Sequence, residues 1–267
     1  MPVRYAYADT PLGQLHYAEG GSGSPLILLH QTPRSLDEFA ELQPLLATKH
    51  RVIAMDMYGF GMSAKPPAPQ TIEQYASGVF ALADALGLER FAVLGHHTGM
   101  FVATEVCAAQ PSRVTAAVYS SGAFGDAAFR AAESDPEVDA ATIQDDGSHL
   151  TELWRFRLPN YPPGRPDLLN RFIRDALAPG IDPREGHLAC ARYIMEDRVG
   201  RVTAPVLMLA ATEDPVAYHH TEPLRGAFPQ AQAVEVHEIV GGRVCLIEDK
   251  APEIAEVVGD FLQRFSA

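Results

Sequence analysis

Hydrophobic and polar positions alternate along this chain in two distinct rhythms. Short, nearly unbroken apolar runs occur at Leu26–His30 (LILLH), Val52–Asp56 (VIAMD), Phe91–Gly95 (FAVLG), Val114–Ser120 and Val206–Ala210 (VLMLA). Runs of this length and continuity predict strands buried on both faces, as in a parallel sheet covered by helices. Helical periods separate them, at Ser35–Thr48, Thr71–Leu88, Thr98–Gln110 and Ala251–Phe265. Thr71-Ile72-Glu73-Gln74 opens one helix with a capping-box pattern, and Gly87 helps close it. Near the N-terminus, Val3–Tyr7 and Gln14–Ala18 flank the turn Asp9-Thr10-Pro11-Leu12-Gly13 and predict an antiparallel hairpin.

The rhythm breaks once. Between about Gly122 and Val202 there are helix-like pieces but no clear strand, with a proline-rich joint over Leu158–Pro166. The strand–helix alternation resumes at Val206, so this stretch reads as an insertion into one α/β unit. The predicted organisation is a core of residues 1–122 and 203–267 with a helical insertion over 123–202.

Composition narrows the class. With 267 residues, 47% hydrophobic and 21% charged, the chain can bury a sizeable core in one large domain. A net charge of −13 argues against nucleic acid or an anionic membrane surface as partner. No apolar run approaches the ~18 residues needed to cross a bilayer, and the first ten residues lack the basic and apolar regions of a secretory leader. Cys107, Cys190 and Cys245 are odd in number and widely spaced, which suits a reduced, cytoplasmic setting. Gly20-Gly-Ser-Gly-Ser24 precedes a strand instead of opening a helix after one, so it is a turn and no dinucleotide cofactor is indicated. A monomer or a homodimer is expected, with a small molecule as partner.

Four short motifs carry the candidate chemistry: Leu28-Leu29-His30-Gln31-Thr32-Pro33, Asp56-Met-Tyr-Gly59-Phe-Gly61-Met-Ser63, Gly95-His96-His97-Thr98-Gly99, and Thr212-Glu213-Asp214-Pro215. In this order and spacing the sequence resembles the α/β-hydrolase superfamily along essentially its whole length. The resemblance implies a mostly parallel sheet with helices on both faces, and makes 123–202 a helical lid. It also implies a nucleophile elbow at residues 95–99. There His97 stands where a serine, cysteine or aspartate is expected. Asp214 falls on the acid position. The G-H-x-x-x-x-E pattern of the catalytic histidine reads Gly242-Arg243-Val-Cys-Leu-Ile-Glu248, so Arg243 replaces that histidine.

What remains is an anion-stabilising site with altered chemistry. By resemblance the oxyanion donors are the backbone N–H groups of Thr32 and of Thr98, the latter at a helix N-terminus. Gln31 stands where the family carries glycine. Imidazole titrates near neutrality, so His97 is a candidate general base or acid. Arg243 is a permanent cation, expected to pair with Asp214 or to turn into the pocket and clamp a carboxylate. Each residue also has a plainer role: His97 as filler of an inactive pocket, Asp214 as Arg243's partner, His30 as a loop anchor, and His96 and Cys245 as packing, while the small hydroxyls of Ser120 and Ser121 are expected to line the pocket roof. Glu213 is expected to be solvated. Trp154 is expected either to meet the ligand from the lid or to anchor the lid to the core. His219 and His220 share no spacing with His97 that marks a metal site. Three functions stay open: hydrolysis of an ester-type or other small carbonyl or carboxylate substrate, a cofactor-free lyase, isomerase or decarboxylase reaction, and ligand binding without catalysis.

Overall fold

The computed structural model describes residues 3–134, 139 and 141–265. The eight strands are β1 (Arg4–Ala8), β2 (Leu15–Gly20), β3 (Pro25–Leu29), β4 (Arg51–Met55), β5 (Phe91–His96), β6 (Val114–Ser120), β7 (Val206–Ala211) and β8 (Val234–Ile239). They form one sheet in the order β1-β2-β4-β3-β5-β6-β7-β8. The predicted hairpin forms as β1 and β2, and β2 joins β4 antiparallel. All pairings from β4 to β8 are parallel.

Helices cover both faces. One apolar cluster joins β3, β5 and β6 to helices α2 (Ile72–Ala85) and α3 (Thr98–Ala109). A second, on the other face, joins the sheet to α1 (Leu42–Leu46), α10 (Leu246–Asp249) and α11 (Ala251–Phe265). Because every central strand is sandwiched, β5 and β7 are buried along their entire length. Between β6 and β7 run α4 (Ala127–Ala132), α5 (Ser148–Arg157), α6 (Pro166–Ala176), α7 (Glu185–Arg192) and α8 (Glu196–Val199); α9 (Thr221–Arg225) follows β7.

Two expectations change. The period over Ser35–Thr48 is not one helix. A short 3₁₀ turn, Leu36–Phe39, is capped by Ser35 and followed after a break by α1. The Leu36 N–H, a first-turn donor with no partner inside the helix, donates to Asp56 Oδ1 at 2.7 Å. β8 is also not among the predicted strands, and its VEVHEI alternation fits an edge strand half open to solvent.

The strand order reverses direction at β3: the chain leaves to β4 on one side and returns to β5 on the other. The crevice outside the carboxyl ends of two such strands is where open α/β sheets bind ligands. The loops after β3 and β5 carry Gln31, Thr32, His97 and Thr98.

Candidate active site

The turn after β5 is built by close backbone approach. A Cβ on Gly95 would lie 2.1 Å from the Gly99 carbonyl oxygen, and one on Gly99 would lie 2.1 Å from that of Leu29. Only glycine fits at either position. Between them His97 adopts φ 45°, ψ −113°, a backbone conformation costing on the order of 1–3 kcal/mol. Two hydrogen bonds hold it: the His97 N–H donates to Ser120 O (3.0 Å), and the Met100 N–H donates to His97 O (2.9 Å). The side chain therefore projects from a sharp strand-to-helix corner into a cavity.

Across the corner stands Asp214, in the loop after β7. It is 1% exposed, and its Oδ1 accepts the N–H groups of Val216 (2.9 Å) and Ala217 (3.1 Å). Its Oδ2 lies 2.9 Å from His97 Nε2. The ring N–H is not aimed straight along that line, so the contact is electrostatic before it is a directed hydrogen bond. Burial alone pushes the Asp214 carboxyl up, but the adjacent His97 imidazole and the Val216 N–H outweigh it and bring the group down to about 2. Asp214 is thus a fixed anion against His97, and Nδ1 is the ring nitrogen left toward the cavity.

His96 has a different environment. It is fully buried, its Nε2–H donates to Val244 O (2.9 Å), and its Nδ1 accepts from Ser120 Oγ (3.0 Å). Burial lowers its pKa to about 4, so it is a neutral structural residue. His30 is also buried: Nδ1–H donates to Gln31 O (2.7 Å) and Nε2 accepts the Met57 N–H (3.0 Å). It ties the loop after β3 to the loop after β4 and does not line the cavity.

The cavity holds about 200 Å³. From the sheet side it is lined by Gln31, Thr32, His97, Thr98, Ser121, Val216 and Val244; from the inserted segment come Ala123, Phe129, Phe156, Arg157, Asn160, His187 and Cys190. Gln31 is pinned by Glu38, which accepts its backbone N–H (2.9 Å) and its side-chain amide (2.7 Å). The backbone N–H groups of Thr32 and Thr98 meet no acceptor among the described residues. Both are thus available to an oxygen anion. Ser121, at φ 48°, also borders the cavity with a buried hydroxyl that finds no partner among the described residues.

Arg243 departs from expectation. It does not pair with Asp214, because His97 occupies that carboxylate's inward oxygen. The longer arginine extends past it to Glu213, with Nη2 2.7 Å from Oε2, and Nη1 donates to Pro159 O (3.3 Å) and Tyr161 O (3.4 Å). It therefore fastens the inserted segment to the loop after β8, and Glu213, exposed to solvent as expected, is its ion-pair partner. Trp154 likewise lies away from the cavity, packed against the small cluster of Leu153, Leu168, Leu169 and Phe172. Cys245 is buried in the same cluster. His219 and His220 stack on each other at 4.1 Å. No sequence motif marks Arg157, Asp139 and His187, which come from three separate stretches between β6 and β7.

Residues 24–251 match the family model described as alpha/beta hydrolase fold. A soluble epoxide hydrolase of Corynebacterium sp. (strain C12) is 40% identical over 90 residues, 34% of this chain and 32% of that protein. The chain thus spans about a third of that relative's length. A 2-hydroxy-6-oxononadienedioate/2-hydroxy-6-oxononatrienedioate hydrolase of Dechloromonas aromatica is 28% identical over 236 residues, covering 79% of this chain and 78% of that one. Among solved structures, the enol-lactonase of Burkholderia xenovorans LB400 superposes with a TM-score of 0.77 at 22% identity, over 97% of this chain and 100% of that one.

Proposed function

The chain belongs to the α/β-hydrolase fold family, and from that premise we propose that it hydrolyses a small ester or lactone with His97 as the acid/base in place of the usual nucleophile. In this reading residues 1–122 and 203–267 are the catalytic core, and 123–202 form a lid over the cleft. The observation that carries it is the 2.9 Å approach of His97 Nε2 to the buried Asp214 carboxylate. A carboxylate behind an imidazole fixes the ring's orientation and stabilises the imidazolium formed when the ring takes a proton.

The steps follow from that arrangement. A water beside His97 Nδ1 gives up a proton to the ring as its oxygen attacks the substrate carbonyl. The developing oxyanion is met by the N–H groups of Thr32 and Thr98, donors fixed before the reaction and shielded from bulk water. Collapse of the tetrahedral intermediate breaks the bond to the leaving oxygen, which must acquire a proton. The aromatic and aliphatic walls favour a substrate with an apolar body. Arg243, outside the cavity, acts by holding the lid.

A second reading rests on the loss of serine at position 97. The base and the oxyanion donors equally suit proton abstraction beside a carbonyl, with the enolate held where the oxyanion sits. The deciding experiment is turnover of a panel of activated esters, thioesters and small lactones by wild type and His97→Ala. Hydrolysis by wild type that falls about 10²–10⁴-fold in the variant is expected. Equal activity in both would remove His97 from the mechanism. Inactivity of both would favour carbon–carbon or proton-transfer chemistry, or a binding protein that keeps the fold without the reaction.

A further inference from the structure

A second imidazole–carboxylate pair faces the same cavity from the opposite wall. His187, on α7, lines the cavity, and its Nε2 lies 3.5 Å from Asp139 Oδ2. Asp139 is 1% exposed, and its two oxygens accept from Nε and Nη2 of Arg157 on α5. That bidentate grip fixes the carboxylate much as two backbone N–H groups fix Asp214. His187 Nε2 is buried and meets no hydrogen-bond partner among the described residues, so the fixed anion at 3.5 Å is what faces it.

The helix carrying His187 is seated directly on the residues proposed to bind the oxyanion. A Cβ on Gly186 would lie 2.2 Å from Thr32 Oγ1, so α7 touches the loop after β3 at the one residue where its backbone is bare. Cys190 lies one turn further along the face of His187, lines the cavity, and hydrogen-bonds the Thr98 side chain. Gly186 and Cys190 thereby seat α7 against Thr32 and Thr98, with His187 between them on the helix and lining the same cavity as His97.

This arrangement answers a need left by the proposed hydrolysis, on which it rests. Asp214 fixes the His97 ring with only Nδ1 inward, facing the attacking water, whereas the leaving oxygen departs on another side of the tetrahedral carbon. We propose that His187 is a second proton-transfer residue, the general acid that protonates the leaving group. As the carbon–oxygen bond breaks, its electron pair goes to the leaving oxygen, which takes a proton from the His187 imidazolium. His97 meanwhile keeps the proton taken from water. Transfer of one proton from His97 to His187 through solvent restores both groups, and no oxidant or reductant is involved.

General acid assistance matters most where the leaving group is poor. The test is therefore a series of butyrate esters from 4-nitrophenyl to ethyl, measured with wild type, His187→Gln, Asp139→Asn and His97→Ala. His187→Gln, which keeps size and polarity, is expected to lower ethyl ester turnover about 10²-fold and leave the nitrophenyl ester within about threefold. Asp139→Asn shifts the series in the same direction, and circular dichroism checks that both variants are folded. Equal losses across the series, or none, would overturn the role of His187. Retained turnover in His97→Ala would instead overturn the reading beneath it, and no turnover by wild type would remove both.

Discussion

Asp214 shows how a single carboxylate is held charged at 1% exposure. Its folded pKa of about 2 lies below the ~3.9 of an unfolded aspartate. The unfolded chain therefore binds the extra proton between those values. The stability Asp214 contributes is complete above about pH 4 and is lost as pH falls through about 2. Urea unfolding of wild type and Asp214→Asn should show the gap between them closing by on the order of 2 kcal/mol over that window. A gap that stays constant would mean the His97 contact does not stabilise the charge. At this scale the candidate site was legible only in its local motifs. His97 and Asp214 were found because backbone geometry forces each into a short local motif. Asp139, Arg157 and His187 were not, because only tertiary packing brings positions 139, 157 and 187 together.

At the scale of elements, the buried strands announced themselves through unbroken apolar runs. β8 did not, because an edge strand exposes one side and its charged positions mask the signal. The Ser35–Thr48 stretch differs in another way: its periodicity suits one helix, but a 3₁₀ turn and a short α-helix share it. The same region carries a buried ionic knot. Arg34 Nε lies 3.0 Å from Asp175 on α6, and its Nη1 lies 2.9 Å from Glu248 on α10. Burial pushes the Glu248 carboxyl up to about 7 against the pull of Arg34, and neighbouring Glu38 adds to the rise. A carboxyl raised on folding binds its proton more tightly in the native state. Its contribution is therefore full below the ~4.3 of an unfolded glutamate and falls as pH rises to about 7. Glu248→Gln should gain stability relative to wild type between pH 5 and pH 8, measured by chemical denaturation at the two values. An unchanged difference would show Glu248 to be ionised throughout.

Across the whole molecule, apolar burial is unevenly distributed. The two large clusters flank the sheet and one of them takes in α7 and α8, whereas α5 and α6 rest on a small cluster centred on Leu153, Leu168, Leu169 and Phe172. The remaining attachment of α6 is polar: the buried Arg34–Asp175 pair, and Arg171 meeting Asp37 at 2.7 Å and Glu41 at 2.6 Å, two contacts that water partly screens. Local opening follows such differences. Amide hydrogen exchange should find α5 and α6 opening at lower free energy than β3, β5 and β6, whose amides exchange only on global unfolding. Uniform protection would mean the ionic contacts bind the insertion as firmly as the core.

The corner after β5 has a consequence for how such a protein changes trade. Its shape is cut by main chain pressing on main chain at positions 95 and 99, and by hydrogen bonds that any residue at 97 supplies from its own backbone. The mould is indifferent to the reagent seated in it. Positions 95 and 99 admit only glycine, while the side chain at 97 takes no part in holding the turn, so that side chain can differ without its support being rebuilt. The shape of the corner and the group it presents are thus set by different positions of the chain.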